Sequence, residues 1–398
     1  MQISDPDFRE TKIRKVIIIG CHVNALGVIR SLSWKNFHIV AMFYDEKVHF
    51  AHTSKLVHEK VKIPHPRIQE KEFIDFLIQN SQRWKDALII ETNDDALIAI
   101  SKNRDILQKH YIIAIPEWNI IRKLIEKPET YALARDCNVP YPITFYPKMQ
   151  EEVQEIPDTI SYPCILKPVL GHLFFSEFGS KNIMVNNFDE LLAKFQFCSN
   201  AGYDVMVQEI IPGPDSNIYQ CMMYLNSRGD LTATFFTRKL RQNPPQFGVA
   251  RVAISEEIIP QVKDFTEKML KKIHFTGILH SEFKKDPRDG VFKLMEVNGR
   301  IGRSNWLATY CGVNFPWIAY MDLAEKTPVE VKDYKKDVYW IELSKDIWIS
   351  IFHHNREHLT LSDYLQPYLS KHKTFADIST NDLAPFLKRI ANLFKSVS

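Results

Sequence analysis

The sequence predicts an α/β domain, then an α+β domain, then a small C-terminal extension, and three observations lead there. Apolar runs alternate with helical stretches over roughly the first hundred residues. After that, helices are mixed with strands separated by Pro/Gly turns. Near the end of the second part, a hairpin pattern carries Glu282, Glu296 and Asn298. The expected domains are residues 1–117, 118–327 and 328–398.

The elements of the first domain follow in order. Lys15-Val-Ile-Ile-Ile-Gly20 is a continuous apolar run, the form of a strand buried on both faces of a parallel sheet. A helix is expected over Leu26 to Trp34, then a strand over His38 to Phe43, ending near Asp45. Phe73 to Asn80 reads as helix, Ala87 to Glu91 as strand, and Asp94 to Leu107 as helix. Tyr111 to Ile115 is a short strand closed by Pro116. Strands spaced by helices make an open, doubly wound sheet.

In the second domain a helix is expected over Asn119 to Cys137, stopped by Val139-Pro140-Tyr-Pro142. Breakers between Pro157 and Pro163 precede the strand Cys164-Ile-Leu-Lys167-Pro168. A Gly-bearing loop, Gly171 to Gly179, leads to a strand at Ile183 to Val185 and a helix from Asp189 to Cys198. Val205 to Ile211 and Ile218 to Leu225 are strands parted by Pro212-Gly-Pro214, and Ile258 to Ile273 is helical. Beyond Pro328, Trp340, Trp348, His353 and His354 sit among helical patterns whose role the residues do not state.

Two alternating runs around Pro287-Arg-Asp-Gly290 form the hairpin. Glu296 and Asn298 are two apart and leave the same face, and Glu282 faces them from the first strand. Two carboxylates and an amide oxygen suit Mg²⁺, which keeps water and phosphate oxygens as its other ligands. A solvated polar face is the plainer alternative.

Composition narrows the class. Net charge is +3 and the charges are interspersed, so neither nucleic acid nor an anionic membrane is an expected partner. The six cysteines occur singly, which argues against a zinc site or a disulfide framework and for a reducing cytoplasm. The longest apolar runs are far short of the ~18 residues of a membrane span.

Cations for phosphate are available at Lys127, Lys167 and Lys181, and in the group Arg238, Lys239 and Arg241. Lys167 closes an apolar strand, where a lysine has little structural reason to be. The loop from Gly171 to Lys181 offers glycines, Ser176 and Ser180, whose N–H groups can meet phosphate oxygens, although it is not a Walker loop. At the N-terminus, Gly20-Cys-His22-Val-Asn24-Ala25-Leu-Gly27 has His22 and Ala25 where a dinucleotide turn needs glycines. A dehydrogenase is therefore not expected.

Taken in order, these motifs resemble the ATP-grasp superfamily. They are Lys127 with Cys-Asn-Val139-Pro140-Tyr-Pro142, Ile-Leu-Lys167-Pro168, and the loop to Lys181. Then come Val207-Gln208-Glu209-Ile-Ile211-Pro-Gly213-Pro-Asp215, Glu282, and Glu296-Val-Asn298-Gly-Arg300. The resemblance spans roughly residues 15 to 325 and implies a Rossmann-like domain ahead of the ATP-grasp domain.

It implies roles residue by residue. Lys127 and Lys167 bind ATP phosphates under the loop ending at Lys181. Gln208, Glu209 and Ile211 belong to the adenine hinge, and Asp215 accepts from the ribose. Glu282, Glu296 and Asn298 hold one or two Mg²⁺ ions. Arg300 and Arg303, in a stretch similar to that of carbamoyl-phosphate synthetases, face a carboxylate and the moving phosphoryl, and Lys239 joins them. Gly299 stands where the family usually has proline, which leaves the aim of Arg300 open. His280 shares a strand face with Glu282, as a substrate contact or a supporting group. Asn24 and the segment Glu91-Thr-Asn93-Asp94-Asp95 meet the second substrate, or serve as a turn residue and a helix cap.

Within the superfamily the chain most resembles the carboxylate–amine ligase group that includes D-aspartate ligases. The resemblance lies in Asn24 to Arg30, Thr92 to Ala96, and Arg238 to Pro245 with Gly248. This implies ATP-dependent ligation of a small carboxylate and an amine through an acyl phosphate, with room for a homodimer. A bicarbonate-phosphorylating carboxylase or carbamoyl-phosphate-type enzyme is the alternative, and a non-catalytic ATP-binding regulator is a second.

Overall fold

The computed structural model describes residues 14–156, 160–169, 182–244, 247–352 and 360–395. The loop Gly171 to Lys181, expected to meet phosphate, lies outside the described residues.

The N-terminal part is a five-stranded parallel sheet of order β3-β2-β1-β4-β5. Its strands are β1 (Arg14–Ile19), β2 (Phe37–Phe43), β3 (Glu59–Lys62), β4 (Leu88–Glu91) and β5 (Ile112–Ile113). Val16 to Ile19 are fully buried, as a strand covered on both faces requires. β1 is central and the chain order reverses beside it, so the turns after β1 and β4 open at the switch point where α/β sheets bind ligands. The strand β3 is not expected from the sequence. Its Glu-Lys-Val-Lys carries a single apolar residue and forms a short, charged edge that resists further pairing.

The expected helix from Asn119 to Cys137 is two helices, Trp118–Ile125 and Lys127–Asp136, broken at extended Glu126. Lys127 therefore opens the second helix rather than lying mid-helix.

A four-stranded antiparallel sheet follows, of order β6-β9-β7-β8. It consists of β6 (Thr144–Phe145), β7 (Cys164–Pro168), β8 (Ile183–Val185) and β9 (Val205–Glu209). One face packs Cys164, Leu166, Val205 and Val207 on Leu191, Phe195 and Cys198 of the helix Phe188–Asn200. Alternation sends Ile165, Lys167, Met206 and Gln208 to the other face.

The largest sheet has seven strands in the order β14-β13-β10-β11-β12-β15-β16. They are β10 (Ile218–Leu225), β11 (Leu231–Asn243), β12 (Val249–Glu256), β13 (Gly277–Lys285), β14 (Phe292–Asn298), β15 (Tyr339–Ile341) and β16 (Lys373–Phe375). One face, with Cys221, Met223, Phe236, Leu279 and Phe283, joins a core shared with the helix Pro260–Lys272 and the N-terminal sheet. The opposite face changes character along its length. Met222, Tyr224, Phe235 and Ile278 pack with Leu307, Ala308 and Ile318 at one end. Gln220, Thr237, Lys239, Glu282 and Lys284 occupy the other end and are polar.

The last seventy or so residues are built into this sheet, since β15 and β16 extend it beyond β12. Their helix Leu343–Phe352 brings the fully buried Asp346 between two fully buried arginines. Arg241 pairs with it through two nitrogens, at 3.1 and 2.8 Å, and Arg251 Nε lies 3.0 Å away. Tyr368 donates to the same carboxylate, and Tyr364 lies under the Arg241 guanidinium at 4.4 Å.

Candidate active site

The polar end of the large sheet carries a group of side chains whose geometry follows from strand register. Glu282 on β13 pairs directly with Glu296 on β14, and His280 with Asn298, so all four share one face. Glu282 also pairs with Gln220 on β10, which pairs with Thr237 on β11. Gln220 Nε2 donates to Glu282 Oε2 at 3.0 Å, and Thr237 donates to Gln220 Oε1 at 3.1 Å. The buried Lys239 ammonium stands 2.8 Å from Glu282 Oε2 and 3.1 Å from Gln242 Oε1. Gln242 in turn donates to Asp215 from its side chain (2.7 Å) and its main chain (3.2 Å). A chain of charges and amides thus runs from Asp215 to Glu282.

The cationic group Arg238, Lys239 and Arg241 divides in three directions. Arg238 pairs with Glu256 at 2.7 Å, and Arg241 belongs to the Asp346 cluster. A β-bulge between Lys239 and Arg241 breaks the alternation, so Lys239 and Gln242 share the Glu282–Asp215 network and Arg241 does not. Lys284 is not among the cations expected from the sequence, although its spacing of two from Glu282 is a signal. It is buried, and burial lowers its pKa against the opposing fields of Asp215, Asp286 and Glu282. Its side chain adds a second buried cation to this group.

The side chains of Gln208 and Glu209, expected in an adenine hinge, are occupied elsewhere. Gln208 Nε2 donates to Tyr131 Oη (3.0 Å) and Thr144 Oγ1 (2.9 Å). Glu209 accepts from the Ile143 N–H at 2.9 Å and from Arg288 at 2.9 Å. What this segment presents is main chain, since the chain leaves the ladder after Glu209 through Ile210, buried Ile211 and Pro212. Lys167 emerges on the sheet face turned away from the helix Phe188–Asn200, and Lys127 sits at a helix N-terminus.

The hairpin leads into the seam with the N-terminal sheet. Asn298 Nδ2 donates to Glu296 Oε1 (3.1 Å), and Arg300 donates to Asn298 Oδ1 (3.1 Å). Arg300 also grips Asp94 with two bonds of 2.6 and 3.1 Å, so it ties the hairpin to the helix Asp94–Lys102. The cap of that helix is Asn93, which accepts from the Ala96 N–H, and Asp94 is left for the arginine. Asn24 is a tie as well, donating to Ile301 O at 3.3 Å. Gly299 is explained by crowding, because a Cβ there would lie 3.0 Å from Ile121 and 3.5 Å from Leu124. Arg303 turns away from the hairpin to buried Glu342 in the C-terminal segment.

Among the described residues no group of three or more His, Cys, Asp or Glu side chains gathers as a metal centre. The pair Glu282 and Glu296 with the Asn298 amide nonetheless fits a hard cation, because register sets both carboxylates opposite each other and phosphate and water complete the shell. His280, beside them, is buried with an unpartnered Nε2, and burial lowers its pKa to about 4, so it is neutral at physiological pH.

Glu91 ends β4 in the same seam. Its Oε2 is buried without a partner, and burial raises its pKa to about 8 against the field of Arg300. A carboxyl that is neutral when folded but ionises near pH 4.3 unfolded contributes stability below that value and loses it as pH rises to about 8. The stability of Glu91→Gln minus that of the parent is expected to grow by up to roughly 1.4 kcal/mol per pH unit across this window. Urea unfolding at pH 5, 7 and 8.5 measures it, and a flat difference contradicts the assignment.

No protein-family profile matches the chain. A D-aspartate ligase of Enterococcus faecium (strain Aus0004) is 26% identical over 369 residues, 86% of this chain and 85% of that protein. The N5-carboxyaminoimidazole synthetase of Staphylococcus aureus complexed with ADP superposes with TM-score 0.66 and 15% identity, over 88% of both chains. The L-amino acid ligase of Bacillus licheniformis gives TM-score 0.61 and 16% identity, over 81% of this chain and 76% of that one. The biotin carboxylase domain of Hydrogenobacter thermophilus 2-oxoglutarate carboxylase, solved as a dimer with MgADP and bicarbonate, gives 0.63 and 17%, over 83% and 74%.

Proposed function

We propose that the chain is an ATP-grasp ligase that joins the carboxylate of an amino acid to an amine through an acyl phosphate, releasing ADP and phosphate. The observation that carries this reading is the continuity of one strand face. Glu282 and Glu296 stand in register, Asn298 hydrogen-bonds Arg300, and Arg300 bridges to Asp94 of the N-terminal domain. On this reading the phosphate would lie next to a second binding region at that seam. The named relatives, a D-aspartate ligase and an L-amino acid ligase, support the substrate class.

In this reading Lys127 and Lys167 hold ATP phosphates, together with Lys181 of the loop. Main-chain groups after Gln208 and Glu209, up to Ile211, receive the adenine. Asp215, anchored by Gln242, would accept from the ribose hydroxyls. Glu282, Glu296 and Asn298 would hold Mg²⁺, which supplies charge neutralisation for the moving phosphoryl. Lys239 neutralises Glu282 and stands ready for the phosphate. Arg300 offers a fork to the carboxylate being activated, and preorganised cations favour the developing charge. His280, neutral, adds a fixed dipole without an opposing charge. The proposal places the enzyme in the cytoplasm, where its six buried thiols stay reduced, and leaves a homodimer to be checked by light scattering. No described helix is long and apolar enough to cross a membrane.

Incubation with ATP, Mg²⁺ and pooled amino acids and amines tests the reading, with ADP and product mass as readouts. ADP release that requires both organic substrates is the expected result. Bicarbonate-dependent release instead identifies a carboxylase, and tight ATP binding without turnover identifies a regulator.

A further inference from the structure

The C-terminal segment turns an apolar face outward, and its geometry follows from how three helices meet. The helix Leu343–Phe352 and the helix Leu361–Leu369 are joined by two bridges. Tyr364 Oη donates to Ser350 Oγ at 2.8 Å, and Tyr368 donates to Asp346. Four residues forward on one helix thus match four residues back on the other, so the pair is antiparallel. In this register Ile351 lies level with the turn between Leu361 and Leu365, and Ile347 with the turn between Leu365 and Leu369.

The same bridges fix where these side chains point. Ile347 comes one residue after Asp346, Ile351 one after Ser350, Leu365 one after Tyr364 and Leu369 one after Tyr368. One residue is a rotation of about 100° around a helix axis. In antiparallel neighbours that rotation carries all four side chains to the same side. It is the side away from the core, since Ile349 on the opposite side of its helix is buried. Leu361, one turn before Leu365, continues the row.

The helix Ala384–Lys395 flanks the first helix on its other side. Arg389 donates to Ser344 Oγ at 2.9 Å and to Glu342, and the Phe394 ring meets Trp348 edge-on at 4.8 Å. Leu387 and Phe394 are seven residues apart and share a stripe of this helix.

Exposure gives the size of the face. Leu361 and Leu369 are 74% and 76% exposed, Ile351 57%, Ile347 41%, Leu365 37%, Leu387 62% and Phe394 57%. Taking about 200 Å² for a whole side chain of this size, these residues offer roughly 800 Å² of apolar surface. The largest apolar patch of an ordinary monomer is about 300–600 Å², whereas one partner's share of a standard interface is about 800 Å². The face has the dimensions of an interface.

Shape and charge select the partner. Leu365 and Leu369 also form one wall of an open groove of about 530 Å³, whose other wall is Asp337, Tyr339 and His372. A ridge with a groove beside it is self-complementary about a two-fold axis, because each ridge can enter the other copy's groove. The two ridge helices hold one basic residue, Lys345, against Asp346 and Asp363. The face therefore lacks the basic rim that an anionic bilayer would select.

We infer that this face is the interface through which two copies of the chain associate, with Ile347, Ile351, Leu361, Leu365 and Leu369 at its centre. The inference is independent of the ligase reading. It gives the C-terminal segment an outward task besides completing the edge of the large sheet.

Sedimentation velocity of the full chain over a micromolar concentration series tests it. A dimer is expected, and Leu369→Asp is expected to weaken it at least roughly 100-fold, as for loss of a buried anchor. Ile68→Asp, at a residue 73% exposed on the N-terminal domain, is expected to leave it intact. A second readout does not depend on how well Leu369→Asp folds. The six native cysteines are buried, so Leu365→Cys adds an accessible thiol, which a short bis-maleimide is expected to join to its counterpart in the other copy. Ile68→Cys is expected to stay single under the same treatment. A monomer at every concentration, or a dimer that survives Leu369→Asp while Leu365→Cys fails to cross-link, overturns the interface. Capture of a monomeric parent by anionic vesicles, lost in Leu369→Asp, overturns it in favour of a membrane surface.

Discussion

If Glu296 holds Mg²⁺ as proposed, Glu296→Gln is expected to reduce turnover by about 10³-fold or more, since loss of one carboxylate ligand would remove several kcal/mol of transition-state stabilisation. The substitution is isosteric and the side chain is solvent-exposed, so folding should change by about 0.5 kcal/mol or less. Asn298 Nδ2 can still donate to the amide oxygen, which preserves its present bond to residue 296. ADP release under saturating Mg²⁺ and ATP, with melting followed in parallel, measures both quantities. Near-parental turnover sinks the assignment of this carboxylate, and a large loss of stability transfers its role from chemistry to folding.

The second large effect is structural. Asp346→Ala is expected to destabilise the protein by about 3–5 kcal/mol, because it removes the buried carboxylate that pairs with two buried guanidiniums. Arg241 loses both of its bonds to that carboxylate, Arg251 its ion pair, and Tyr368 its acceptor. Denaturant unfolding followed by tryptophan fluorescence measures the change, with Trp340 and Trp348 lying in the affected region. A loss below about 1 kcal/mol would mean that water enters and solvates the arginines, and that the cluster is not the dry anchor its burial implies.

The contrast between these two carboxylates explains what the sequence disclosed. The hairpin was legible because a period of two and a Pro/Asp/Gly turn specify register locally, and register alone sets Glu282 opposite Glu296. The parallel strands β1, β2 and β4 were legible because burial on both faces leaves continuous apolar runs. The edge strand β3 escaped, since half of it faces water and its one valine gives no pattern. The division of Lys239 from Arg241 was also hidden, because a bulge is decided by what the strand packs against and not by its own residues. Arg389 and Glu342 lie far in sequence from everything they touch at the seam. Only the docking of the terminal strands brings them there.

That docking bears on how the seam in such a chain could change. β15 and β16 complete the edge of the large sheet, and the same segment delivers Glu342 and Arg389 to Arg303. The seam around Arg303 and the closing of the sheet are therefore inherited as one piece. A chimera that exchanges this segment would carry new contacts to Arg303 only together with a new sheet edge. Any change at Glu342 or Arg389 must then pass through sequences that still fold at that edge, and this confines its course to substitutions made in place.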